Sequence, residues 1–312
     1  MEIKPTSKNN LNLNKPHSSF QKKNSKESCN ENKKGSQECL GSMGKAQVLM
    51  QNKSFQTPES EEEIMTVLKK IVEPKGMKIG ICYGLRRINI GRPFANFPDL
   101  CQDDMRATCR LDEKGKLLEI LILEHGGINN RGTVGIYSAN GILDKYFSPE
   151  DMNALHEYKY TPEPFHLKLR ENKERGLQTK EELQSWIDTI DNMFKDETKS
   201  FETNDTTIVY RALPDKLSFE QIDALSKIGG IFKEMSYSST SQKYETARRF
   251  QRYSPILEIE IPKGFRYIDL DKLFNIDRER WREQEMLLPR GCEFEVTGYD
   301  EIKNVVKVKL IQ

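Results

Sequence analysis

The chain has 312 residues, of which 49 are lysine or arginine and 48 are aspartate or glutamate, so its formal net charge at pH 7 is +1. This length accommodates one large domain or two small ones with a substantial core. The near-neutral charge argues against nucleic-acid binding, because proteins with that function usually carry a strong positive field. No apolar run approaches the roughly 18 residues that a membrane-spanning helix requires, so the sequence also argues against an integral membrane protein.

The cysteines and histidines follow no metal-binding or disulfide pattern. The six cysteines include no Cys-x-x-Cys spacing, and two of them lie in a polar N-terminal segment. The four histidines are scattered, and none stands at metal-ligand spacing from a cysteine. We therefore predict reduced thiols and no structural or catalytic metal.

Residues 1–57 are predicted to form a disordered leader. They are rich in Asn, Ser, Lys and Gln and poor in aliphatic residues, so they bury too little apolar surface to offset the entropy of ordering. Three roles fit this composition: a plain linker, an export signal that needs no cleavable signal peptide, and a lysine-rich arm that contacts an anionic surface.

Residues 58–147 are predicted to form a mixed α/β-rich accessory region. A run of acids followed by apolar residues at helical spacing predicts a helix from Ser60 to about Val72. Alternating and β-branched runs predict a strand at Met77–Tyr83, a hairpin at Ala107–Leu123 and a strand at Val134–Ser138. No motif assigns chemistry to this region, so we expect it to recognise a target protein or to shield a cleft.

Residues 148–312 are predicted to form an α+β domain. Helix-start signals occur at Ser148, Thr179 and Ser218, and a further helix follows Ser241. The predicted strands are 207–213, 235–241, 256–261, 266–270, 285–288, 293–297 and 305–311. Many strands with few intervening helices favour two packed sheets over a parallel doubly wound fold. The domain has no Gly-x-Gly-x-x-Gly or Walker loop, so a nucleotide would bind without a glycine-rich phosphate turn.

Two glutamates stand at the mouth of one of these strands. Glu283 and Glu285 precede the apolar run Met286–Leu288, which a Pro-Arg-Gly turn ends. If both glutamates lie in the strand, their carboxylates share one face, where two like charges are unfavourable unless they have a use. The pair predicts a site that handles a cation or a developing positive charge.

Two upstream segments accompany this pair. Thr207–Leu213 is a β-branched strand with Arg211 embedded in it, and Met235–Ser241 is a strand that ends in Ser-Thr-Ser. In this order, with Glu-x-Glu and Leu-Leu-Pro-x-Gly, the segments resemble the mono-ADP-ribosyltransferases of the Arg–Ser–Glu class, the cholera-toxin-like bacterial toxins and effectors. The resemblance covers about residues 180–312. It implies an ADP-ribosyltransferase-like core of two packed β-sheets with flanking helices, and NAD as co-substrate.

The resemblance also implies catalytic roles for four residues. Glu285 would hydrogen-bond the 2'-hydroxyl of the nicotinamide ribose and stabilise an oxocarbenium-like transition state. Glu283 would orient or deprotonate the incoming nucleophile. Arg211 would hold the diphosphate or its neighbouring ribose with its planar fork, and Ser239 would position Glu285.

Further residues are expected around NAD and around the acceptor. The implied NAD-binding set comprises Arg211, Ala212, Ser239, Thr240, Ser241, Tyr244 and Glu285. Phe274 or Trp281 is expected in the loop that recognises the target. This loop, residues 271–282, is longer and more charged than in many members of the class.

The acceptor and the route to it follow only from the resemblance. A glutamate at position 283 favours an arginine of a host protein as acceptor. The layout is also similar to that of CteC, an effector that modifies a threonine of ubiquitin, so ubiquitin is a second candidate partner. We expect a secreted effector of the type III kind that acts in the host cytosol, with a secretion chaperone on the N-terminal leader.

Two other functions are compatible with the same motifs. In an NAD glycohydrolase, water would take the ADP-ribose and no label would remain on protein. In a catalytically silent binding module, the fold would persist without NAD cleavage.

Overall fold

The computed structural model describes residues 58–82, 88–94, 97–101, 105–124, 132–173, 179–214, 217–274 and 283–311. The predicted disordered leader and Trp281 lie outside these residues. The described helices are α1 (Pro58–Val72), α2 (Pro149–Tyr160), α3 (Pro162–Glu171), α4 (Lys180–Lys195), α5 (Phe219–Leu225), α6 (Tyr244–Phe250) and α7 (Leu270–Phe274). A 3₁₀ turn, Glu73–Lys75, follows α1.

Strands fall into an N-terminal and a C-terminal group. The N-terminal strands are β1 (Lys78–Cys82), β2 (Ile88–Gly91), β3 (Pro93–Phe94), β4 (Phe97–Cys101), β5 (Met105–Leu111), β6 (Leu117–Glu124), β7 (Val134–Ser138) and β8 (Leu143–Phe147). The C-terminal strands are β9 (Phe201–Glu202), β10 (Thr207–Ala212), β11 (Ile231–Lys233), β12 (Ser238–Ser241), β13 (Ile256–Ile261), β14 (Arg266–Asp269), β15 (Glu285–Leu288), β16 (Glu293–Asp300) and β17 (Val305–Leu310). Helices and strands are thus largely segregated along the chain, and the predicted α+β class is confirmed.

The N-terminal strands form a six-stranded antiparallel sheet in the order β1-β2-β5-β6-β7-β8, beside a β3-β4 ribbon. The predicted hairpin is confirmed as β5 and β6. The Asp112 carboxylate tightens its turn by accepting hydrogen bonds from the backbone of Lys114 and Lys116. Helix α1 covers this sheet because Ile64 and Leu68 recur at helical spacing and are buried against it.

The starts of the next three helices, α2, α3 and α4, are explained by the residues of their first turns. Ser148 and Thr179 each form a capping box, which confirms the predicted starts of α2 and α4. Helix α3 was not predicted. Its sequence starts Pro162-Glu-Pro164, and proline is tolerated in the first turn of a helix because the N–H there has no intrahelical partner.

The C-terminal strands pair in the order β11-β16-β17-β13-β10-β12-β15-β14-β9. Strands β13 and β17 are parallel, and the other pairs are antiparallel. Strands β10 and β12 are joined by the residue pair Tyr210 and Ser241, so they pair over a shorter stretch than the strands on either side of them do. This junction divides the ladder into two parts, and the candidate site lies beside it.

Strand β15 separates two apolar clusters. Met286 and Leu288 pack in the cluster of β13, β16 and β17, whereas Leu287 packs in the cluster of α2 and α4. Strand alternation places Glu285 on the same side as Leu287, toward α2. The second cluster extends to Val134 and Phe147 of the N-terminal sheet. All described residues lie in one compact unit, and the predicted boundary between residues 147 and 148 stays a prediction.

None of the described helices is long and apolar enough to cross a membrane.

Candidate active site

The strand register brings the three motif segments together. Strand β12 lies between β10 and β15, and Ser241 pairs with Tyr210 on one side and with Glu285 on the other. One guanidinium nitrogen of Arg211, Nη1, donates to the Ser239 carbonyl oxygen at 3.3 Å. Arg211, Ser239 and Glu285 therefore stand on three neighbouring strands although 74 positions of sequence separate the first from the last.

The two glutamates converge on a lysine of α2. The Lys159 ammonium donates to the Glu285 carboxylate and, at 3.2 Å, to that of Glu283. The side chains of Lys159 and Glu285 are only 11% and 12% exposed, whereas that of Glu283 is 36% exposed. We call these three residues the acid cluster. It holds two negative charges against one positive charge.

Strand alternation is not what brings the carboxylates together, because β15 begins at Glu285 and Glu283 precedes it. Between them Gln284 has φ 48°, in the left-handed region that non-glycine residues seldom adopt. Its N–H donates to Asp271 Oδ1 at 3.3 Å, and its carbonyl accepts from the backbone N–H of Gln242 at 3.2 Å. The left-handed turn lets both carboxylates reach one ammonium.

The hydroxyls of the Ser-Thr-Ser segment have different partners. Ser241 Oγ donates to the Glu283 carbonyl at 2.5 Å, so it fixes the start of the Glu-x-Glu turn. Thr240 lies on the opposite face of β12 and donates to the Met286 carbonyl at 2.7 Å. Ser239 Oγ lies 3.3 Å from the Tyr158 hydroxyl of α2. Of these three hydroxyl contacts, that of Ser239 is the one made with α2.

Arg211 belongs to a second group of charges, which we call the arginine cluster: Arg170, Arg211 and Glu234. Arg170 binds both oxygens of Glu234, with Nε at 2.9 Å and Nη2 at 2.7 Å. The Arg211 guanidinium lies 4.0 Å from the same carboxylate. Burial lowers the pKa of Arg211, and the charge of Glu234 opposes that shift. The cluster holds two positive charges against one negative charge.

A histidine beside the arginine cluster is uncharged. His166 Nδ1 lies 2.7 Å from the Ser236 hydroxyl. Burial, assisted by the charges of Arg211 and Arg170, lowers the pKa of His166 to about 3. Burial opposes ionisation of Glu234 too, yet the hydrogen bonds from Arg170 hold the pKa of that carboxyl below its ordinary value. The neighbourhood of Arg211 consequently keeps its net positive charge at neutral pH.

The site thus has an electropositive and an electronegative end. Two fork-shaped guanidinium groups suit an anion with several oxygens, such as a diphosphate. Two carboxylates with one ammonium retain net negative charge, which suits a developing cation. Ser239 contacts Arg211 through its carbonyl oxygen, and its hydroxyl lies 3.3 Å from that of Tyr158, the residue before Lys159 on α2.

The structure shows other contacts for two further predicted NAD-binding residues, Ala212 and Tyr244. Ala212 is the last residue of β10 and pairs with Ile256. The Tyr244 ring packs edge-on against Tyr210 with centroids 5.6 Å apart, and its hydroxyl donates to the Lys303 carbonyl.

The predicted recognition loop begins inside helix α7, because residues 270–274 are helical. This corrects the predicted strand at 266–270, which ends at Asp269. Phe274, the last residue of α7, has its ring centroid 6.2 Å from that of His156 and 6.5 Å from that of Tyr160. The rest of the loop, including Trp281, lies outside the described residues.

Sequence reasoning missed the side chains that α2 and α3 contribute. Lys159 and Tyr158 lie on the last turn of α2. The start of this helix was predicted, but not which of its sides faces the motif strands. Arg170 and His166 lie on α3, which was not predicted. The available signal was Tyr158-Lys159, an aromatic and a basic residue at the end of a helix that precedes the catalytic motifs.

Within the described residues, no group of three or more His, Cys, Asp or Glu side chains is arranged to hold a metal ion.

The model of one protein family matches residues 135–312, more than half of the chain. Its description is ADP-ribosyltransferase exoenzyme. The chain belongs to this family. Its members are NAD-dependent transferases, so NAD is the co-substrate that membership implies. The match begins in β7, well before the predicted limit of about residue 180, and it includes the two helices that carry Lys159 and Arg170.

Solved structures that match part of the chain include three bacterial proteins. C3stau2 from S. aureus, solved with NAD, is 21% identical, with 53% of this chain and 88% of that chain covered and a TM-score of 0.41. The C3 exoenzyme of Clostridium limosum is 20% identical, with 53% and 87% covered and a TM-score of 0.41. Exoenzyme S from Pseudomonas aeruginosa, solved with human 14-3-3 protein beta and carba-NAD, is 16% identical, with 52% and 74% covered and a TM-score of 0.40. A comparison with curated proteins finds no match.

Proposed function

We propose that the protein is a mono-ADP-ribosyltransferase of the Arg–Ser–Glu class, which cleaves NAD and transfers ADP-ribose to a side chain of a host protein. The observation that carries this proposal is the convergence of Arg211, Ser239 and Glu285 on neighbouring strands, with Glu283 in the turn before β15. The two charged ends of the site match the charges of NAD, whose diphosphate is anionic and whose nicotinamide ring is cationic. Membership of the ADP-ribosyltransferase exoenzyme family supports the same reaction.

The reaction breaks the bond between the nicotinamide nitrogen and the ribose, and the electron pair leaves with nicotinamide. The ribose carbon becomes cationic, so the Glu285 carboxylate beside it lowers the energy of the transition state. Arg211 binds the diphosphate and holds the ribose still, and Arg170 adds positive charge while its fork binds Glu234. Glu283, the more exposed acid, receives the proton of the incoming nucleophile.

The acceptor side chain is the finer part of the proposal. A glutamate at position 283 supports an arginine acceptor, because an additional carboxylate can orient and deprotonate a guanidinium. The similarity of the sequence layout to that of CteC is the argument for a threonine of ubiquitin instead. Both acceptors need a base near the ribose carbon, so mass spectrometry of the modified residue has to decide between them.

Delivery belongs to the same proposal. We place the protein among secreted effectors that act in the host cytosol, with the polar residues 1–57 as an export signal of the type III kind and the binding site of a secretion chaperone. Fusing residues 1–57 to a reporter should direct it through such a secretion system. A reporter that stays in the bacterium would reject this part of the proposal.

Labelled NAD tests the activity directly. The wild type, incubated with biotinylated NAD, ubiquitin and host-cell lysate, should leave biotin on protein, whereas Glu285→Gln should reduce labelling at least about 100-fold. Glu260→Gln is the matched control, because Glu260 is an exposed glutamate on β13. Nicotinamide release without label on protein would identify an NAD glycohydrolase. The absence of both would identify a silent binding module.

A further inference from the structure

The Lys159 side chain occupies a well-defined position beside both catalytic glutamates. It projects from the last turn of α2 and, with 11% of its side chain exposed, has little access to solvent. Its ammonium is the group on which the Glu283 and Glu285 carboxylates meet. None of the motifs that define the Arg–Ser–Glu class includes this lysine.

Helix α2 gives Lys159 a rigid base. The neighbouring Tyr158 is 1% exposed, and its ring packs edge-on against those of Phe165 and Tyr237 with centroids 5.4 and 5.5 Å apart. At the other end of α2, Asp151 closes the capping box and accepts a hydrogen bond from Lys199 at 2.6 Å. The ammonium is therefore held in place by the helix as well as by the acids.

A nearby cation favours the ionised form of two adjacent carboxyl groups. When like charges share a partly buried site, one of them takes up a proton at a pH well above its ordinary value. An ammonium between them reverses that preference by attracting both charges. The effect is mutual: burial alone would lower the pKa of Lys159, yet the charges of Glu285 and Glu283 raise it.

Other titratable groups near the acid cluster do not replace this cation. Burial raises the pKa of Tyr158 to about 12, so its hydroxyl is uncharged at neutral pH. Asp271 of α7 adds a further carboxylate, which accepts a hydrogen bond from the backbone of Gln284. Arg211 of β10 lies 4.0 Å from Glu234 in the arginine cluster, and His156 of α2 lies against Tyr160 and Phe274.

We propose that Lys159 is a positioning residue that keeps Glu283 and Glu285 ionised side by side, and this rests on the function proposed above for that pair. With Lys159 in place, two carboxylates and one ammonium leave a net negative charge beside the ribose carbon. Glu285 then enters the reaction as a carboxylate and Glu283 remains able to accept a proton. Lys159 itself touches neither NAD nor the acceptor in this proposal.

Titration of the two carboxyl groups tests the proposal without reference to activity. Protein labelled with ¹³C at glutamate Cδ should give, in Lys159→Gln, one carboxyl that titrates at least about one pH unit higher than in the wild type. Lys159→Arg should restore the wild-type titration, because a guanidinium retains the charge. Lys199→Gln is the matched control, since it removes a lysine–carboxylate pair from the same helix at its far end. Unchanged glutamate titration in Lys159→Gln would overturn the proposal.

The pH dependence of nicotinamide release supplies a second readout. Because the carboxyl with the higher pKa is already partly protonated at pH 5, Lys159→Gln should lose at least about twofold more activity than the wild type between about pH 8 and pH 5. Adding Glu283→Gln to Lys159→Gln should remove this extra loss, since a lone carboxylate has no like-charged neighbour. Activity that rises at every pH in Lys159→Gln would also overturn the proposal, because it would mean that the lysine only neutralises Glu285.

Two outcomes keep this test distinct from that of the proposed function. If the wild type releases no nicotinamide, the proposed function fails, and the carboxyl titration still decides the role of Lys159. If Lys159→Gln does not fold, the ammonium of Lys159 can be titrated by ¹⁵N resonance in Glu283→Gln. Its pKa should fall relative to the wild type, and an unchanged value would reject the coupling.

Discussion

The arginine cluster and the acid cluster have the same arrangement of three charges, but the signs of the charges are opposite. Each holds two like charges and one opposite charge in a region with little solvent, but the arginine cluster keeps a net positive charge and the acid cluster a net negative charge. In the arginine cluster the central residue is Glu234, bound by two guanidinium nitrogens of Arg170, Nε and Nη2, in a fork. In the acid cluster the central residue is Lys159, a point charge between two carboxylates. The difference shows how one short ladder of strands can present two charged ends to a dipolar ligand.

Removing the central glutamate should produce the largest loss of stability. Glu234→Gln leaves Arg170 and Arg211 close together without a counter-charge, so the free energy of unfolding should fall by about 3–5 kcal/mol in urea titrations. Glu293→Gln is the control, because its partner Lys233 is half exposed and such surface pairs contribute only about 0–1 kcal/mol. Equal losses in the two variants would mean that the arginine cluster is no more than a surface ion pair.

Replacing the guanidinium of Arg211 by an ammonium should weaken the binding of the NAD diphosphate at the electropositive end of the site. Arg211→Lys keeps the charge but loses the paired N–H groups, so kcat/KM for nicotinamide release should fall roughly 10- to 100-fold, mostly through a higher KM for NAD. Arg290→Lys serves as the control, since the partly exposed Arg290 binds Asp191 Oδ1 through Nε at 3.0 Å and Oδ2 through Nη2 at 2.6 Å. A fall confined to kcat would place Arg211 at the reacting atoms and contradict the assignment to the diphosphate.

Acid should weaken the fold through His166. Its folded-state pKa, about 3, lies below its unfolded value, so the neutral imidazole contributes stability that is present above about pH 6.5 and is lost as the pH falls toward 3. Urea unfolding of the wild type at several pH values in this window should show that loss, and His166→Asn should show a smaller one. If the free energies of unfolding of the wild type and of His166→Asn fall equally as the pH is lowered, groups other than His166 dominate acid unfolding.

The smallest expected effect is at the turn between the two glutamates. Gln284→Gly removes the left-handed strain and should raise the free energy of unfolding by less than about 1 kcal/mol. Asn304→Gly, at φ 53° in the turn between β16 and β17, should give even less, because asparagine tolerates this conformation. Only Gln284→Gly should also lower nicotinamide release, since glycine loosens the acid cluster. Destabilisation by Gln284→Gly would show that the side chain contributes more than the strain costs.

Sequence reasoning reached the elements whose signals are local. The capping boxes at Ser148, Thr179 and Ser218 are all present, and the bounds of β15 are those predicted. These features depend on a few neighbouring residues, such as a hydroxyl followed three positions later by an acid or amide. The predicted set of site residues depends on the order of the three motifs, and the strand register places Arg211, Ser239 and Glu285 on adjacent strands.

The features that sequence reasoning did not reach depend on tertiary packing. No local pattern indicates that Lys159 faces Glu285, because 126 positions separate them and the facing side of α2 is set by the burial of Tyr158. The left-handed conformation of Gln284 is likewise invisible, since glutamine has no preference for it and the hydrogen bond to Asp271 holds it there. Long-range contacts of this kind determine the arrangement of the acid cluster and of the arginine cluster.

A crystal structure of Glu285→Gln with NAD tests the central claim most directly, because this variant should bind NAD without cleaving it. The claim predicts that the diphosphate lies within hydrogen-bond distance of Arg211 and that the 2'-hydroxyl of the nicotinamide ribose faces residue 285. NAD bound elsewhere on the molecule, with neither contact, would contradict it.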